Sequence, residues 1–266
     1  MKTGSGTLPD DLADALATAD SRIAPFLGAM RFLAEIGSTN DEAARLAENG
    51  APDGTLVLAD AQSAGRGRTG RSWFSPAGTG LYASIVFRPS SPWPLLTLAG
   101  GVALAEGVRA ATGLPVHLKW PNDLMSPGGR KLGGILTEGA TAGNVVQFVV
   151  FGFGINVRGT RYPCELAERA TSLEAEAGKP LDRGPVLVEC LAALAARRRD
   201  LDAGRSEDMC ERWLELAPSA RGRTVEFTAD GVVHRGVTAG IAEDGALLIR
   251  TDRSVERVIS GEVRWV

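Results

Sequence analysis

Cysteine and histidine are scarce in this chain, which has three cysteines and two histidines among 266 residues. Cys164, Cys190 and Cys210 are widely spaced and form no Cys-x-x-Cys pair. Structural zinc sites and disulfide frameworks need several such ligands at close spacing, so this composition argues against both. We expect reduced thiols, as in a cytoplasmic protein.

The chain also lacks long apolar runs and an excess of basic residues. None of its apolar runs reaches the roughly 18 residues of a membrane-spanning helix, and the N-terminal segment has no apolar signal-peptide core. The formal net charge is −3, whereas broad nucleic-acid binding is typical of basic domains. We therefore expect a cytoplasmic protein that uses neither a membrane nor DNA. The length suffices for one sizeable core and a small appended domain.

The most unusual segment is residues 65–73, Gly-Arg-Gly-Arg-Thr-Gly-Arg-Ser-Trp, called here the arginine loop. Its glycines allow close approach of the backbone to a phosphate, and its guanidinium groups can bind carboxylate or phosphate oxygens in pairs. Trp73 offers a face on which a base could stack. The loop therefore predicts an anion site, and a solvated flexible loop is the alternative when the segment is considered alone.

The glycine spacing of this loop also matches the dinucleotide fingerprint Gly-x-Gly-x-x-Gly. That fingerprint requires a helix directly after the turn. Pro76, Gly78 and Gly80 follow instead and oppose a helix. The sequence therefore disfavours a nicotinamide-dependent oxidoreductase.

Further motifs flank the loop in a fixed order. They are Gly37-Ser38-Thr39-Asn40, Gln62, Lys119-Trp120-Pro121-Asn122-Asp123-Leu124, the segment Arg-Lys-Leu-Gly-Gly-Ile-Leu at 130–136, and Gly-Phe-Gly-Ile-Asn at 152–156. Together with the loop, the set resembles the biotin protein ligase family, closely over residues 31–160 and in outline elsewhere. A lipoate ligase shares the fold and the adenylation chemistry, but these motifs fit biotin better. A non-enzymatic regulator or nucleic-acid-binding module is the other alternative.

The resemblance implies an α+β fold, in which a mixed β-sheet with flanking helices, similar to class II aminoacyl-tRNA synthetases, precedes a small SH3-like β-barrel. We expect a leader without a helix-turn-helix over residues 1–30, a catalytic domain over 31–218 and the barrel over 219–266. The leader is too short for the DNA-binding domain of some relatives, so the monofunctional form is expected. Short alternating segments and two Asp-Gly turns after Arg221 independently predict antiparallel hairpins.

Periodicity and turn residues predict the individual elements. Helices are expected at 8–19, 38–50, 93–112, 185–202 and 206–217. Strands are expected at 56–59, 81–88, 116–119, 134–138, 145–151, 224–227, 232–238, 246–250 and 256–260. The hydroxyls of Ser38 and Thr39 either cap the helix that begins there or face a ligand, and both readings stay open.

The resemblance implies an ATP-dependent ligase that activates biotin as biotinyl-5′-AMP and transfers it to a lysine of a carrier. The carrier is the biotin carboxyl carrier domain of a biotin-dependent carboxylase. ATP and Mg²⁺ are the expected co-substrate and ion, and biotin is the substrate. Neither DNA nor a membrane is expected as a partner, and the sequence leaves a homodimer open.

Activation brings a carboxylate against a triphosphate, and fixed cations must offset their repulsion. We assign this catalytic role to Arg66, Arg68 and Lys131. Asp123 is the expected Mg²⁺ ligand, with a structural turn as its alternative. Thr69 departs from the basic or bulky residue of some relatives, which puts phosphate affinity in question.

The remaining roles are implied by the resemblance. The biotin-binding residues would be Ser38, Thr39, Asn40, Gln62, Gly65, Arg66, Gly67, Arg68, Lys131, Gly134, Ile135, Gly152 and Gly154. The ATP-binding residues would be Arg66, Arg68, Arg71, Trp73, Lys119, Asn122, Lys131 and Asn156. Arg71 is either a secondary phosphate contact or exposed, and Trp73 either stacks on adenine or belongs to the core.

Overall fold

The structure, a computed structural model, describes residues 6–19, 21–143, 145–229, 231–259, 261 and 263–266. Its helices are α1 Asp10–Ala17, α2 Ala24–Leu27, α3 Thr39–Glu48, α4 Leu96–Thr112, α5 Cys164–Ala167, α6 Leu173–Ala177, α7 Arg183–Asp202 and α8 Ser206–Leu216. Its strands are β1 Met30–Ile36, β2 Leu56–Gln62, β3 Gly80–Phe87, β4 His117–Lys119, β5 Asp123–Met125, β6 Lys131–Ala142, β7 Val145–Asn156, β8 Arg221–Ala229, β9 Val232–Ile241, β10 Leu247–Arg250, β11 Val255–Val258 and β12 Val263–Trp265.

The first seven strands form one sheet in the order β1-β2-β3-β7-β6-β5-β4. Strands β1 and β2 pair in parallel and the other neighbours pair antiparallel, so the sheet is mixed. Every residue of β3 is buried, as its nearly continuous apolar sequence predicts for a central strand. Motif residues lie on four strands of this main sheet: Gln62 on β2, Lys119 on β4, residues 131–136 on β6 and residues 152–156 on β7.

Helices cover the two faces of the main sheet unequally. The large core lies on the face covered by α4 and α7 and includes Leu81, Ile85 and Phe87 of β3. The smaller α3 covers part of the opposite face, with Val86 beneath it. Because side chains alternate along a strand, Ser84 of β3 points to the α3 side. The polar motifs meet on this less crowded face.

The remaining strands form a second sheet, called here the C-terminal sheet, in the antiparallel order β11-β10-β9-β8-β12. Its buried residues Val225, Phe227, Leu247 and Ile249 belong to the same hydrophobic core as α4 and α7. The C-terminal sheet therefore packs directly on the domain that carries the motifs.

The predicted fold class, a mixed sheet with flanking helices and a small antiparallel C-terminal unit, is confirmed. Among individual elements, the predictions missed the strands β1, β5 and β12 and the short helices α2, α5 and α6. They also started α4 at residue 93, whereas Pro94 delays the helix to Leu96. They began β6 three residues late and ended it four residues early, and they ended β7 five residues early. Predicted positions Asp230 and Ser260 lie outside the described residues.

Two expectations from composition can be compared with the structure. Cys164, Cys190 and Cys210 are all free thiols, and burial raises the pKa of Cys190. Within the described ranges, no helix combines the length and the apolar character that crossing a membrane requires.

Candidate active site

A cavity of about 1110 Å³ opens on the α3 side of the main sheet, between the arginine loop and the C-terminal sheet. Apart from Gly65, the predicted site residues all line it: Ser38, Thr39, Asn40, Gln62, Arg66, Gly67, Arg68, Arg71, Trp73, Lys119, Asn122, Asp123, Lys131, Gly134, Ile135, Gly152, Gly154 and Asn156. The fold thus brings motifs that are far apart in sequence to one place.

The arginine loop is a tight hairpin. The Trp73 amide donates to the Gly65 carbonyl at 2.8 Å, and the Gly67 amide donates to the Arg71 carbonyl at 2.7 Å. A Cβ at Gly65 would overlap the Trp73 carbonyl oxygen, so glycine is needed at the base of the hairpin. Gly65 is not among the residues that line the cavity. At the tip, Thr69 has a φ of 53°, an uncommon conformation for a β-branched residue.

One half of the cavity is lined by neutral hydrogen-bonding groups. The Thr39 amide and hydroxyl both donate to Gln62 Oε1, at 2.8 and 3.1 Å, and Gln62 Nε2 donates to Ser75 Oγ at 2.9 Å. The buried Ser84 hydroxyl lies 2.8 Å from Thr39 Oγ1 and 2.7 Å from Asn40 Oδ1. This network fixes the orientation of the side chains that face the cavity.

Ser38 precedes α3 at the capping position, but its hydroxyl does not cap the helix. Only its backbone carbonyl is used, accepting from the Glu42 amide at 3.2 Å. Ser38 Oγ is buried and has no hydrogen-bond partner among the described residues. Buried polar groups are normally satisfied, so this orphaned hydroxyl on the cavity wall favours the ligand reading over the capping reading.

Two glycines of β7 leave room for this wall. A Cβ at Gly152 would overlap the Asn40 amide, and one at Gly154 would overlap the indole of Trp73. Trp73 Nε1 is buried without a partner within the described part of the chain. The Trp73 indole therefore packs against Gly154, and Trp73 lines the cavity.

The other half of the cavity is strongly cationic. Lys131 Nζ lies 2.5 Å from Asp123 Oδ1 and 5.4 Å from the centre of the Trp73 ring. Burial lowers the pKa of Arg68; the nearby Asp123 carboxylate opposes this shift, and the positive charge of Arg71 adds to it. Burial likewise lowers the pKa of Lys119, with Asp123 opposing and Lys131 reinforcing the shift. Asp123 thus lies among several cations, Lys131, Lys119 and Arg68, an arrangement suited to a polyanion.

Arg66 differs from its neighbours in the loop because carboxylates already surround it. Its two terminal nitrogens contact Asp41 and Glu138, and Glu138 Oε2 also accepts from Asn40 Nδ2 at 2.8 Å. Burial alone would lower the pKa of Arg66, but the two carboxylates raise it. These contacts tie the loop to α3 and β6. Neither Asp41 nor Glu138 was predicted as a site residue from the sequence, since neither position has a motif of its own.

The two asparagines predicted to bind ATP also hold the backbone around the cavity. Asn122 Nδ2 donates to the Ile135 carbonyl at 2.6 Å, and Asn156 Nδ2 donates to the Thr171 carbonyl at 3.0 Å. The sequence analysis also missed Trp265, which lines the cavity from the C-terminal sheet.

The donor set does not make a resident metal site. In the described residues, no group of three or more His, Cys, Asp or Glu side chains is placed to hold a metal ion. Asp123 is a single carboxylate and is paired with Lys131. This arrangement fits Mg²⁺ only as an ion that arrives with a nucleotide, since Mg²⁺ readily keeps phosphate oxygens and water as ligands.

Comparison with known proteins agrees with the fold and the site. Residues 33–156 match the biotin/lipoate A/B protein ligase family, and residues 222–264 match the biotin protein ligase C terminal domain. The bifunctional ligase/repressor BirA of Bacillus subtilis is 37% identical over 237 residues, which cover 86% of this chain and 71% of that protein. The biotin-(acetyl-CoA-carboxylase) ligase of Paracoccus denitrificans is 33% identical over 239 residues, covering 87% and 98%.

The solved structure of biotin protein ligase from Aquifex aeolicus in complex with biotin and ATP is also similar. It has a TM-score of 0.77 and 30% sequence identity, and the match covers 90% of this chain and 99% of that one. The chain therefore belongs to the biotin protein ligase family and is an enzyme of the ligase class.

Proposed function

We propose that this enzyme joins biotin to ATP and then transfers the biotinyl group to a lysine of a carrier protein. The observation that carries the proposal is one cavity in which a neutral polar half meets a cationic half. Biotin has a ureido ring that needs donors and acceptors and a carboxylate that must approach a triphosphate. A single cavity with both characters suits this pair of substrates.

In the proposed first step, a biotin carboxylate oxygen attacks the α-phosphorus of ATP, and pyrophosphate leaves with the electrons of the broken P–O bond. Lys131 and Arg68 stabilise the negative charge that accumulates between the reacting groups. Asp41 and Glu138 already engage the two terminal nitrogens of Arg66 and offset its positive charge. Arg68 and Lys131 therefore carry the larger share of the charge stabilisation.

In the proposed second step, a neutral lysine amine of the carrier attacks the carbonyl carbon of the mixed anhydride. The C–O bond to phosphate breaks, AMP leaves, and the amine loses a proton as the amide forms. Because the mixed anhydride hydrolyses easily, the arginine loop contributes by excluding water from it.

We assign the neutral half to biotin. Ser38, Thr39, Asn40 and Gln62 serve the ureido ring, and Gly152 and Gly154 let Asn40 and Trp73 lie close to the sheet beside it. Trp73 and Asn156 serve the adenosine. Lys119, Asn122 and Arg71 serve the triphosphate, and Asp123 serves the Mg²⁺ that arrives with ATP.

The proposed carrier is the biotin carboxyl carrier domain of a biotin-dependent carboxylase, as the name of the Paracoccus relative suggests. We also propose that the enzyme acts in the cytoplasm, without a DNA partner. Free thiols at all three cysteines support a reducing compartment.

Transfer can be tested with purified enzyme, ATP, Mg²⁺ and a purified carrier domain, with the mass of the intact carrier as the readout. We expect the mass to rise by one biotinyl group with biotin and to stay unchanged with lipoate or octanoate. Modification by lipoate alone would show that lipoate, not biotin, is the substrate, and would leave the fold assignment unchanged. No modification by any acid would contradict the ligase assignment. Light scattering of the same preparation measures whether the enzyme is a homodimer.

A further inference from the structure

The C-terminal sheet and its β9–β10 turn contact both Lys119 and Trp120 of the Lys119-Trp120-Pro121 segment. The indole nitrogen of Trp120 donates to the Gly245 carbonyl at 3.0 Å. The ammonium of Lys119 lies 4.5 Å from the centre of the Trp265 ring. Two consecutive residues of a cavity-lining motif are thus held by a unit that lies far away in sequence.

Trp265 is well placed for this contact. It belongs to β12, where it pairs with Val225 of β8, a fully buried residue of the common core. Its ring lines the same cavity as Lys119 and Lys131. Trp265 Nε1 is buried and finds no hydrogen-bond partner among the described residues. Packing and the contact with the Lys119 cation therefore determine where the ring lies.

Lys119 needs such a neighbour because its surroundings disfavour its charge. The carboxylate of Asp123 is taken by Lys131, and Lys119 forms no salt bridge within the ranges that the structure describes. The face of a tryptophan ring is the most favourable aromatic surface for an ammonium group. The ring thus gives Lys119 an attractive partner that, unlike a carboxylate, does not compete with phosphate for its charge.

We propose that Trp265 is a positioning residue for ATP: its ring holds the Lys119 ammonium against the cavity wall where the triphosphate binds. The inference rests on the proposed function, because it requires ATP in the cationic half. The nucleotide site is then built jointly by the main sheet and the C-terminal sheet, and the C-terminal sheet takes part in the adenylation step.

Steady-state pyrophosphate release from biotin and ATP, with the carrier domain present to consume the adenylate, tests this role. We expect Trp265→Leu to raise the KM for ATP about 2- to 30-fold, the range that a cation–π contact can supply, with the KM for biotin and kcat nearly unchanged. Trp265→Phe retains a ring and should retain most of the ATP affinity. Val255→Ala, at an exposed residue of the same sheet that does not line the cavity, is the matched control.

A double-mutant cycle separates positioning from general support of the fold. If Trp265 acts through Lys119, adding Trp265→Leu to Lys119→Met leaves the KM for ATP where Lys119→Met alone puts it. Effects that simply add, or equal rises in the KM for ATP and for biotin, would overturn the inference. Should Trp265→Leu fail to fold, Trp265→Phe enters the same cycle, and its smaller effect must vanish in the Lys119→Met background.

The wild-type measurement distinguishes failure of the proposed function from failure of the Trp265 role. If wild-type enzyme releases no pyrophosphate from biotin and ATP, the proposed function fails. If it does and Trp265→Leu leaves the KM for ATP unchanged, only the positioning role of Trp265 is overturned.

Discussion

Lys131 Nζ lies 2.5 Å from Asp123 Oδ1, so the central cation of the cavity is held by the one carboxylate of the neighbouring motif. This pair joins two roles that the sequence assigned separately, a catalytic lysine and an Mg²⁺ ligand. Because the two side chains form a salt bridge in the cationic half of the cavity, each constrains the position of the other.

Removal of the lysine tests the charge stabilisation. Lys131→Ala should lower the rate of adenylate formation by about 10²–10³-fold, the usual effect of losing one preorganised charge-stabilising group. Asp123→Asn should instead raise the Mg²⁺ concentration needed for half-maximal rate. Single-turnover quenched flow at several Mg²⁺ concentrations measures both, and an unchanged rate for Lys131→Ala would contradict the assignment.

The two inner arginines of the loop should differ in effect. Arg68→Ala removes a cation that lies near Asp123 and Arg71, so we expect the larger loss of kcat/KM for ATP. Arg66→Ala frees Asp41 and Glu138 and should chiefly loosen the loop, with faster escape of adenylate from the enzyme. Adenylate release followed by filtration distinguishes them. Equal losses of kcat/KM would mean that both arginines contact the phosphates.

The Ser38 hydroxyl offers a test that separates binding from helix stability. Ser38→Ala should raise the Kd for biotin about 3- to 10-fold, as expected for one hydrogen bond of about 1 kcal/mol, and leave the free energy of unfolding nearly unchanged. Ser172 is the matched control, because its side chain does cap α6 by accepting from the Ala175 amide at 3.3 Å. Ser172→Ala should cost about 1 kcal/mol of stability and spare biotin binding. The reverse pattern would identify Ser38 as a cap.

Gly154 should tolerate no side chain. A Cβ there would overlap the Trp73 indole, so Gly154→Ala should displace the ring and weaken ATP binding about tenfold or more. Gly28→Ala is the control, since no atom lies within 4 Å of a Cβ at that position. Calorimetric titration with a non-hydrolysable ATP analogue measures the change, and wild-type affinity in Gly154→Ala would show that Trp73 does not form the nucleotide wall.

A buried ion pair links α1 to the catalytic unit and predicts a pH dependence of stability. The Asp11 carboxylate binds Arg183, which is 2% exposed, at 2.9 and 3.0 Å. Burial would raise the pKa of Asp11, but Arg183 and Arg158 lower it below its usual value of 3.8. The stabilisation is therefore complete above that value and is lost as the pH falls through the lowered pKa of the folded state.

Asp11→Asn should reduce the free energy of unfolding at pH 7 on the order of 3 kcal/mol, because a buried guanidinium loses part of its charge partner. The difference from wild type should shrink in acid. Asp14→Asn, on the exposed side of the same helix, should change stability by less than about 0.5 kcal/mol. Denaturant unfolding between pH 3 and pH 7 measures both, and a pH-independent difference would contradict the ion-pair explanation.

The sequence predicted the main features of the fold because the central elements are strongly patterned. Strand β3 is nearly continuous in apolar residues, and Asp244-Gly245 marks the hairpin between β9 and β10. Strand β1 escaped prediction because Met-Arg-Phe-Leu-Ala-Glu-Ile neither alternates nor forms a long apolar run. Strands β5 and β12 are only three residues long, and neighbouring strands determine their conformation.

The candidate site shows the same division. Local motifs located the lysines, arginines and glycines of the cavity, since their spacing is fixed along the chain. Local motifs said nothing of Glu138 and Trp265, because each acts through a contact made only after folding, with Arg66 and with Lys119 respectively. The orphaned hydroxyl of Ser38 also required the structure, since a serine before a helix reads equally well as a cap.

Oxygen transfer from biotin labelled with ¹⁸O in its carboxylate tests the central claim most directly. If the carboxylate attacks the α-phosphorus of ATP and a carrier lysine then displaces AMP, the AMP released must contain one ¹⁸O atom, which mass spectrometry detects. Biotinylated carrier together with unlabelled AMP, or with label in inorganic phosphate, would contradict a biotinyl-5′-AMP intermediate.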